Sequence, residues 1–212
     1  MGGGHFQREH EAFGFDFGAT PGARLDRLDE ALGLIRRLLD GEQVTHHGRY
    51  YDLVDALCAP RPIQPHVPIM IGGAGPRKTM GIVARHADQW NKSWGDPAVV
   101  AQSLDILRRR CVEVGRDFGS IEKSVMIWAH IRDRTQDAVA AHRAVRLAMD
   151  LAPTDEDGKP VVPLTAGTVD EVVHAVRAYE KVGVDELMLQ MHEPFDYETM
   201  ERLGDLRAVL AG

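Results

Sequence analysis

Apolar residues recur at intervals of three and four between positions 22 and 40, at Leu25, Leu28, Leu32, Ile35 and Leu39. Asp26, Arg27, Asp29, Glu30, Arg36 and Arg37 fill the other face. The spacing predicts an amphipathic helix, with Gly41 as its C-terminal stop. From residue 67 the pattern changes. Short apolar runs at 67–71, 89–91, 123–131 and 186–191 predict strands, and helical stretches separate them. Helices are predicted from Pro76 to His86, from Pro97 to about 114 behind an Asp96 cap, and from Thr135 to about 149. Two more run from the capping-box sequence Thr168-Val169-Asp170-Glu171 to about 182, where Gly183 ends the helix, and from Asp196 to about 210. Strands alternating with helices imply a parallel sheet with helices packed outside. Runs that are apolar without alternation suit strands buried on both faces. A doubly wound open sheet and a β/α barrel both fit this pattern.

The remaining stretches read as connectors. Residues 2–22 are rich in glycine and aromatics and predict loop or broken helix. His46-His47-Gly48-Arg49-Tyr50-Tyr51 predicts a turn between two short extended pieces, and Pro60-Arg61-Pro62-Ile63-Gln64-Pro65 an ordered, non-helical connector. Residues 151–166, with three prolines and Asp155-Glu156-Asp157-Gly158, read as an exposed linker or lid.

The chain of 212 residues, 44% hydrophobic and 27% charged, has the composition of a globular protein and fits one domain, residues 1–212. Its net charge of −7 argues against a nucleic-acid partner, which calls for a basic face. No apolar run long enough to span a membrane and no signal peptide is present, so the cytoplasm is the expected compartment. Cys58 and Cys111 are far apart and outside any C-x-x-C spacing, and are expected as buried free thiols.

The stretch with the most chemistry is Pro68-Ile69-Met70-Ile71-Gly72-Gly73-Ala74-Gly75-Pro76-Arg77-Lys78-Thr79. It reads as strand, glycine turn and first helical turn, a geometry that aims backbone N–H groups and the helix dipole at one point. Arg77 and Lys78 add side-chain donors suited to phosphate. A tight turn with no ligand explains the glycines equally well, because neither the full dinucleotide fingerprint nor the Walker pattern is present. Arg77 stands where the Walker pattern has glycine.

Elsewhere the candidate groups have ordinary alternatives. His46 and His47, adjacent on an extended segment, point to opposite sides, and no third ligand lies at a metal-binding spacing. His10, between Glu9 and Glu11, reads as surface charge, and no metal is expected. Asn91, beside Trp90 at the end of its strand, either meets a ligand or satisfies loop backbone. Trp128 and His130 share one face of their strand and either touch a cofactor ring or pack as core. Thr168 and Glu171 are explained by helix capping, with an anion role secondary. Gln190 and His192 lie where a strand end meets substrate in many α/β enzymes. No nucleophile with base and orienting acid is evident, which disfavours hydrolysis.

Several strings, taken together and in order, resemble the luciferase-like monooxygenase superfamily, and its deazaflavin F420-dependent oxidoreductase branch in particular. They are Gly2-Gly3-Gly4-His5-Phe6-Gln7-Arg8-Glu9-His10, Arg24-Leu25-Asp26-Arg27-Leu28, Gly48-Arg49-Tyr50-Tyr51, the 60–65 proline run, Ile71-Gly72-Gly73-Ala74-Gly75, Ala87-Asp88-Gln89-Trp90-Asn91 and Gly167-Thr168-Val169-Asp170-Glu171-Val172. The resemblance implies a TIM (β/α)8 barrel with the cofactor at the C-terminal ends of its strands. It implies F420, with FMN as the alternative, held at its phosphate by Gly72, Gly73, Ala74, Gly75, Pro76, Arg77 and Lys78, with Asn91 nearby. The reaction implied is hydride transfer between the reduced cofactor and a small organic substrate, or monooxygenation with FMN. Part of the family carries an acid near the position of His5, so His5 is the candidate catalytic group. Residues 2–4 resemble the end of the family's fourth barrel strand, so the first three strands are expected to be missing and the barrel incomplete. Exposed strand edges and helix faces would then favour a homo-oligomer, and a truncated non-catalytic homologue is a further reading.

Overall fold

A computed structural model describes residues 1–211 except Asp157, Pro160 and Pro194. The elements, in order, are α1 (Gln7–Ala12), α2 (Pro21–Leu39), β1 (Val44–His47), β2 (Asp52–Ala56), β3 (Met70–Gly72), α3 (Thr79–His86), β4 (Gln89–Ser93) and α4 (Pro97–Glu113). They continue with β5 (Glu122–Ile127), β6 (His130–Ile131), α5 (Thr135–Ala148), β7 (Ala166–Gly167), α6 (Val169–Lys181), β8 (Glu186–Leu189) and α7 (Tyr197–Ala211). Residues 1–91 with 105–122 form one compact unit, and 92–104 with 123–212 a second.

In the first unit, α2 starts at Thr20, whose hydroxyl accepts from the Ala23 amide at 3.1 Å, and buries Leu28, Leu32 and Leu34. Helix α3 buries Met80, Ile82, Val83 and Ala84. Strands β3 and β4 pair in parallel, Ile71 opposite Trp90, and both of those side chains are fully buried. An ion-pair ladder joins the two helices: Asp26 meets Lys78 at 2.6 Å, and Asp29 meets Arg85 at 2.7 Å and His86 at 2.8 Å.

Two carboxylates fasten the connector that leads from α2 to β3. Glu30 accepts from the amides of Tyr50 (3.2 Å) and Tyr51 (3.0 Å) and pairs with His46, which docks the antiparallel β1–β2 hairpin. Asp88 accepts from the Ile69 amide at 2.7 Å and pairs with His66 at 2.8 Å and Arg36 at 3.1 Å. Burial pushes the Asp88 carboxyl up, but the Ile69 amide, His66 and Arg36 outweigh it and hold it below its usual range.

In the second unit β5 and β8 pair in parallel from Ser124 opposite Glu186 to Ile127 opposite Leu189. The apolar run at 123–131, expected as one strand, divides. The Thr165 hydroxyl donates to the Trp128 carbonyl, and His130–Ile131 then pairs in parallel with Ala166–Gly167 instead. One run thus serves two sheets. Ile131, Val172 and Leu206 form a small core under α6 and α7, flanked by Val169, Val176 and Leu203. The expected capping box is present: the Thr168 hydroxyl accepts from the Glu171 amide, and the Glu171 carboxylate accepts from the Thr168 amide at 2.8 Å. Thr168→Ala removes one half of it, and the expected cost is about 1 kcal/mol, read as a lower thermal midpoint with an unchanged fold. In the 151–166 stretch, Asp157 and Pro160 lie outside the described residues.

Residues 2–22, expected as loop or broken helix, contain the short helix α1, which buries no side chain. Other differences from the sequence reading are local. His46 and His47 belong to β1 rather than to the turn after it. Cys111 is buried as expected, whereas Cys58 is half-buried. Among the described residues, no helix is long and apolar enough to cross a membrane.

Candidate functional site

The glycine turn lies in the first unit, between β3 and α3. Helix α3 begins at Thr79 rather than Pro76, because the Met80 amide reaches back five residues to the Gly75 carbonyl at 3.1 Å and makes a wider first turn. Gly73 sits at φ +115°, a conformation that favours glycine. A Cβ on Gly75 would lie 2.7 Å from the Thr79 hydroxyl oxygen, so a side chain there would have to displace that hydroxyl.

The backbone donors of this turn divide into two groups. The Gly72 amide donates to the Met1 carbonyl at 2.8 Å, and the Met1 amino nitrogen donates to the Met70 carbonyl, which makes Met1 a parallel neighbour of Ile71. The Gly73 amide donates to the Asn91 carbonyl at 3.0 Å, and the Trp90 indole donates to the Gly73 carbonyl at 2.7 Å. Gly72 and Gly73 are therefore committed to the sheet. The amides of Ala74, Gly75, Arg77, Lys78 and Thr79 have no backbone acceptor among the described residues. Pro76 carries no amide hydrogen, and its carbonyl accepts from Arg110 at 3.2 Å.

The charged candidates part company. Arg77 is exposed at the turn. Lys78 turns away to Asp26 at 2.6 Å and to the Gly22 carbonyl at 3.3 Å. His5 is exposed, three residues beyond Gly2, whose position for a Cβ lies 3.8 Å from the Gly72 carbonyl oxygen. Asn91 is half-buried and pairs with Gly72 across β3 and β4.

The second unit holds a cluster of rings in which Trp128, His130 and His142 are buried and Trp94 is half-exposed. Trp128 packs edge-on to Trp94 (5.8 Å between centroids) and His192 (5.5 Å), and tilted against His142 (5.3 Å). His130 lies 5.2 Å from His142. Trp128 and His130 share a face, as their spacing predicts, and Gln190 accepts from the Trp128 indole at 3.2 Å. Asp196 is the hub below them. It accepts from His130 at 3.0 Å, from Arg132 at 2.8 Å and from the Thr199 amide at 3.1 Å and hydroxyl at 2.7 Å. Burial works to raise its carboxyl, but Thr199, Arg132 and His130 outweigh it and hold it at about 2. Burial pushes His142 down to about 4, helped by His130 and Arg146 and opposed by the Val161 backbone. Burial also lowers His130, against the pull of Asp196.

His142 and Asp196 did not stand out in the sequence as site residues. His142 lies four residues after Ala138 on the buried face of α5, and that spacing was the available signal. Asp196 was visible only as the start of the last helix. Among the described residues, no group of three or more histidine, cysteine, aspartate and glutamate side chains could hold a metal ion.

An α/β chain of parallel strand pairs with a glycine turn at a strand end fits the class of luciferase-like TIM-barrel proteins. The profile of the luciferase-like monooxygenase family matches residues 1–186, and the chain belongs to that family. The F420-dependent glucose-6-phosphate dehydrogenase of Microbacterium testaceum is 28% identical, over 81% of this chain and 55% of that protein. The enzyme of the same name from Kineococcus radiotolerans is 29% identical, also over 81% and 55%. Among solved structures, an F420-dependent secondary alcohol dehydrogenase in complex with an F420–acetone adduct superposes with a TM-score of 0.72 at 21% identity, over 89% of this chain and 62% of that one. Riboflavin lyase with modified FMN and riboflavin gives 0.76 at 16%, over 97% and 61%. These structural likenesses bear on the fold alone. The chain spans about half the length of these two dehydrogenases, and less of some other curated relatives.

Proposed function

We propose that this chain contributes to an F420-dependent oxidoreductase, and that the glycine turn holds the cofactor's phosphate. The observation that carries the reading is the run of amides at Ala74, Gly75, Arg77, Lys78 and Thr79 without backbone acceptors, beside the exposed Arg77. Gly72 and Gly73 act by leaving room and by fixing the turn to its neighbouring strands. The Lys78 ammonium, held by Asp26, contributes to helix packing rather than to the anion. Two curated relatives are named as F420-dependent, which favours that cofactor over FMN. F420 supplies hydride chemistry when bound, and the protein's part is to hold and orient it. His5, exposed beyond the strand-like start of the chain, is the candidate in this reading for giving or taking a proton at the substrate. The substrate is a small organic molecule, and association with further copies of the chain covers exposed edges.

FMN is the second reading, because riboflavin lyase, which shares the fold, is seen with a modified FMN. The test is a titration of the 212-residue chain and its Gly73→Asp variant with F420 and with FMN, followed by fluorescence at two salt concentrations. Aspartate at φ +115° strains the turn and adds a negative charge, so at least a tenfold loss of affinity is expected. Arg77→Ala should flatten the salt dependence for F420. Equal affinity in Gly73→Asp and the parent overturns the phosphate site; salt-insensitive binding of FMN alone selects the second reading.

A further inference from the structure

A cavity of about 530 Å³ lies within the second unit, walled by Trp94, Trp128, His142, Tyr179 and residues 161–165. Its size falls in the range of small-molecule sites, about 300–1,000 Å³. The wall is mainly aromatic and aliphatic. One carboxylate and one guanidinium border it, and both have partners: Asp96 caps the Val99 amide at 2.9 Å, and the Arg146 Nε donates to the Ala152 carbonyl at 2.7 Å. The two charges oppose each other, so the cavity favours neither a cation nor an anion.

The polar edges of the rings are not equivalent. The Trp128 indole is bonded to Gln190, and the Tyr179 hydroxyl donates to the Gly95 carbonyl at 2.9 Å. His142 is 1% exposed, and neither ring nitrogen has a well-formed hydrogen bond. A buried polar group left this way is costly, and native structures rarely keep one without a ligand or water to meet it. With its acid form disfavoured, the imidazole presents one N–H donor and one lone pair. An aromatic ring suits a wall of aromatic and aliphatic side chains, and a single oxygen on it satisfies the histidine.

We propose that this cavity binds an uncharged aromatic small molecule carrying one carbonyl or hydroxyl group, whose oxygen is met by His142. The site stands apart from the identity of the cofactor at the glycine turn. Benzophenone and diphenylmethane, which share two rings and differ at the carbonyl, serve as probes in equilibrium dialysis against the 212-residue chain. Benzophenone is expected to bind about tenfold more tightly, the worth of one hydrogen bond to a buried group. In His142→Phe that preference disappears and the two probes bind alike. Val162, 37% exposed on the cavity wall, accepts a larger side chain from the solvent side, so Val162→Trp fills the space and should abolish binding of both. Absence of saturable binding overturns the proposal, as does binding unchanged in Val162→Trp. A carbonyl preference missing from the parent or surviving in His142→Phe removes histidine from the recognition and overturns it equally.

Discussion

Replacing Asp196 by alanine is expected to destabilise the protein by about 3 kcal/mol, because it removes the buried carboxylate shared by Arg132, the His130 imidazole and Thr199 and leaves Arg132 with Glu198 alone. Asp196 is 11% exposed, Arg132 14% and His130 6%. The same carboxylate bonds the Thr199 amide and hydroxyl at the start of α7, and the Thr199 hydroxyl in turn accepts from the Ile131 amide at 2.9 Å. One side chain thus joins the start of α7 to β6, and its loss also frees the first turn of α7. Urea unfolding reads the effect as a lower midpoint. Asp205→Ala, on the exposed face of α7, is the control and should change stability by about 0.5 kcal/mol or less. Asp196→Asn keeps a side-chain acceptor for Thr199 but not the charge, and should fall between the two. Equal midpoints for Asp196→Ala and Asp205→Ala would show that the hub contributes little.

Acidification from pH 6.5 to 4 is expected to lower the unfolding free energy by about 3 kcal/mol through His142. The group titrates at about 4 in the folded chain and at 6.5 in the unfolded one. Between those values the unfolded state binds the extra proton, so stability is fully present above 6.5 and is lost as pH falls through 4. His130, also lowered by burial, adds in the same direction. Asp196 acts in a separate, more acidic window. Its folded value of about 2 lies below the ordinary 3.8, so its contribution is present above 3.8 and is lost as pH falls toward 2. Stability measured across pH in the parent and in His142→Phe separates the two windows. The upper slope should shrink in the variant and the lower one remain; an unchanged upper slope assigns it to another group.

What was legible in the sequence was local in origin. The capping box at Thr168 and Glu171 involves residues three apart, and the structure keeps it intact. The helix over 22–40 follows its leucine spacing, and the resemblance to the luciferase-like family, carried by ordered short strings, agrees with the profile match over residues 1–186. The glycine turn was placed correctly between strand and helix, but the use of its donors was not readable. Gly72 and Gly73 spend their amides on Met1 and Asn91, partners that only the sheet brings near. Lys78 looked like a phosphate ligand next to Arg77, yet Asp26, on a helix far upstream, takes its charge. The run at 123–131 looked like one strand because apolarity does not reveal a change of partner, which here follows from Thr165 binding the Trp128 carbonyl. His142 sits in an alanine-rich helix, where its i,i+4 spacing from Ala138 was the one signal that it faces inward, and alanines on the other faces mask it.

The two carboxylate clasps at Glu30 and Asp88 have a consequence for chain length. They hold the connector at Tyr50–Tyr51 and at His66–Ile69, and the segment between them includes Leu57, 54% exposed, and the fully exposed Ile63. The route taken there does not set the position of β3, since the Ile69 amide is fixed by Asp88 regardless of how the chain arrives. Lengthening that route beyond Arg61, which donates to the Gly41 carbonyl at 3.0 Å, costs mainly closure entropy, about 0.6 kcal/mol for each doubling. The tip around Ile63 is therefore a place where this chain can be opened, extended or fitted with a reporter while the glycine turn stays in register.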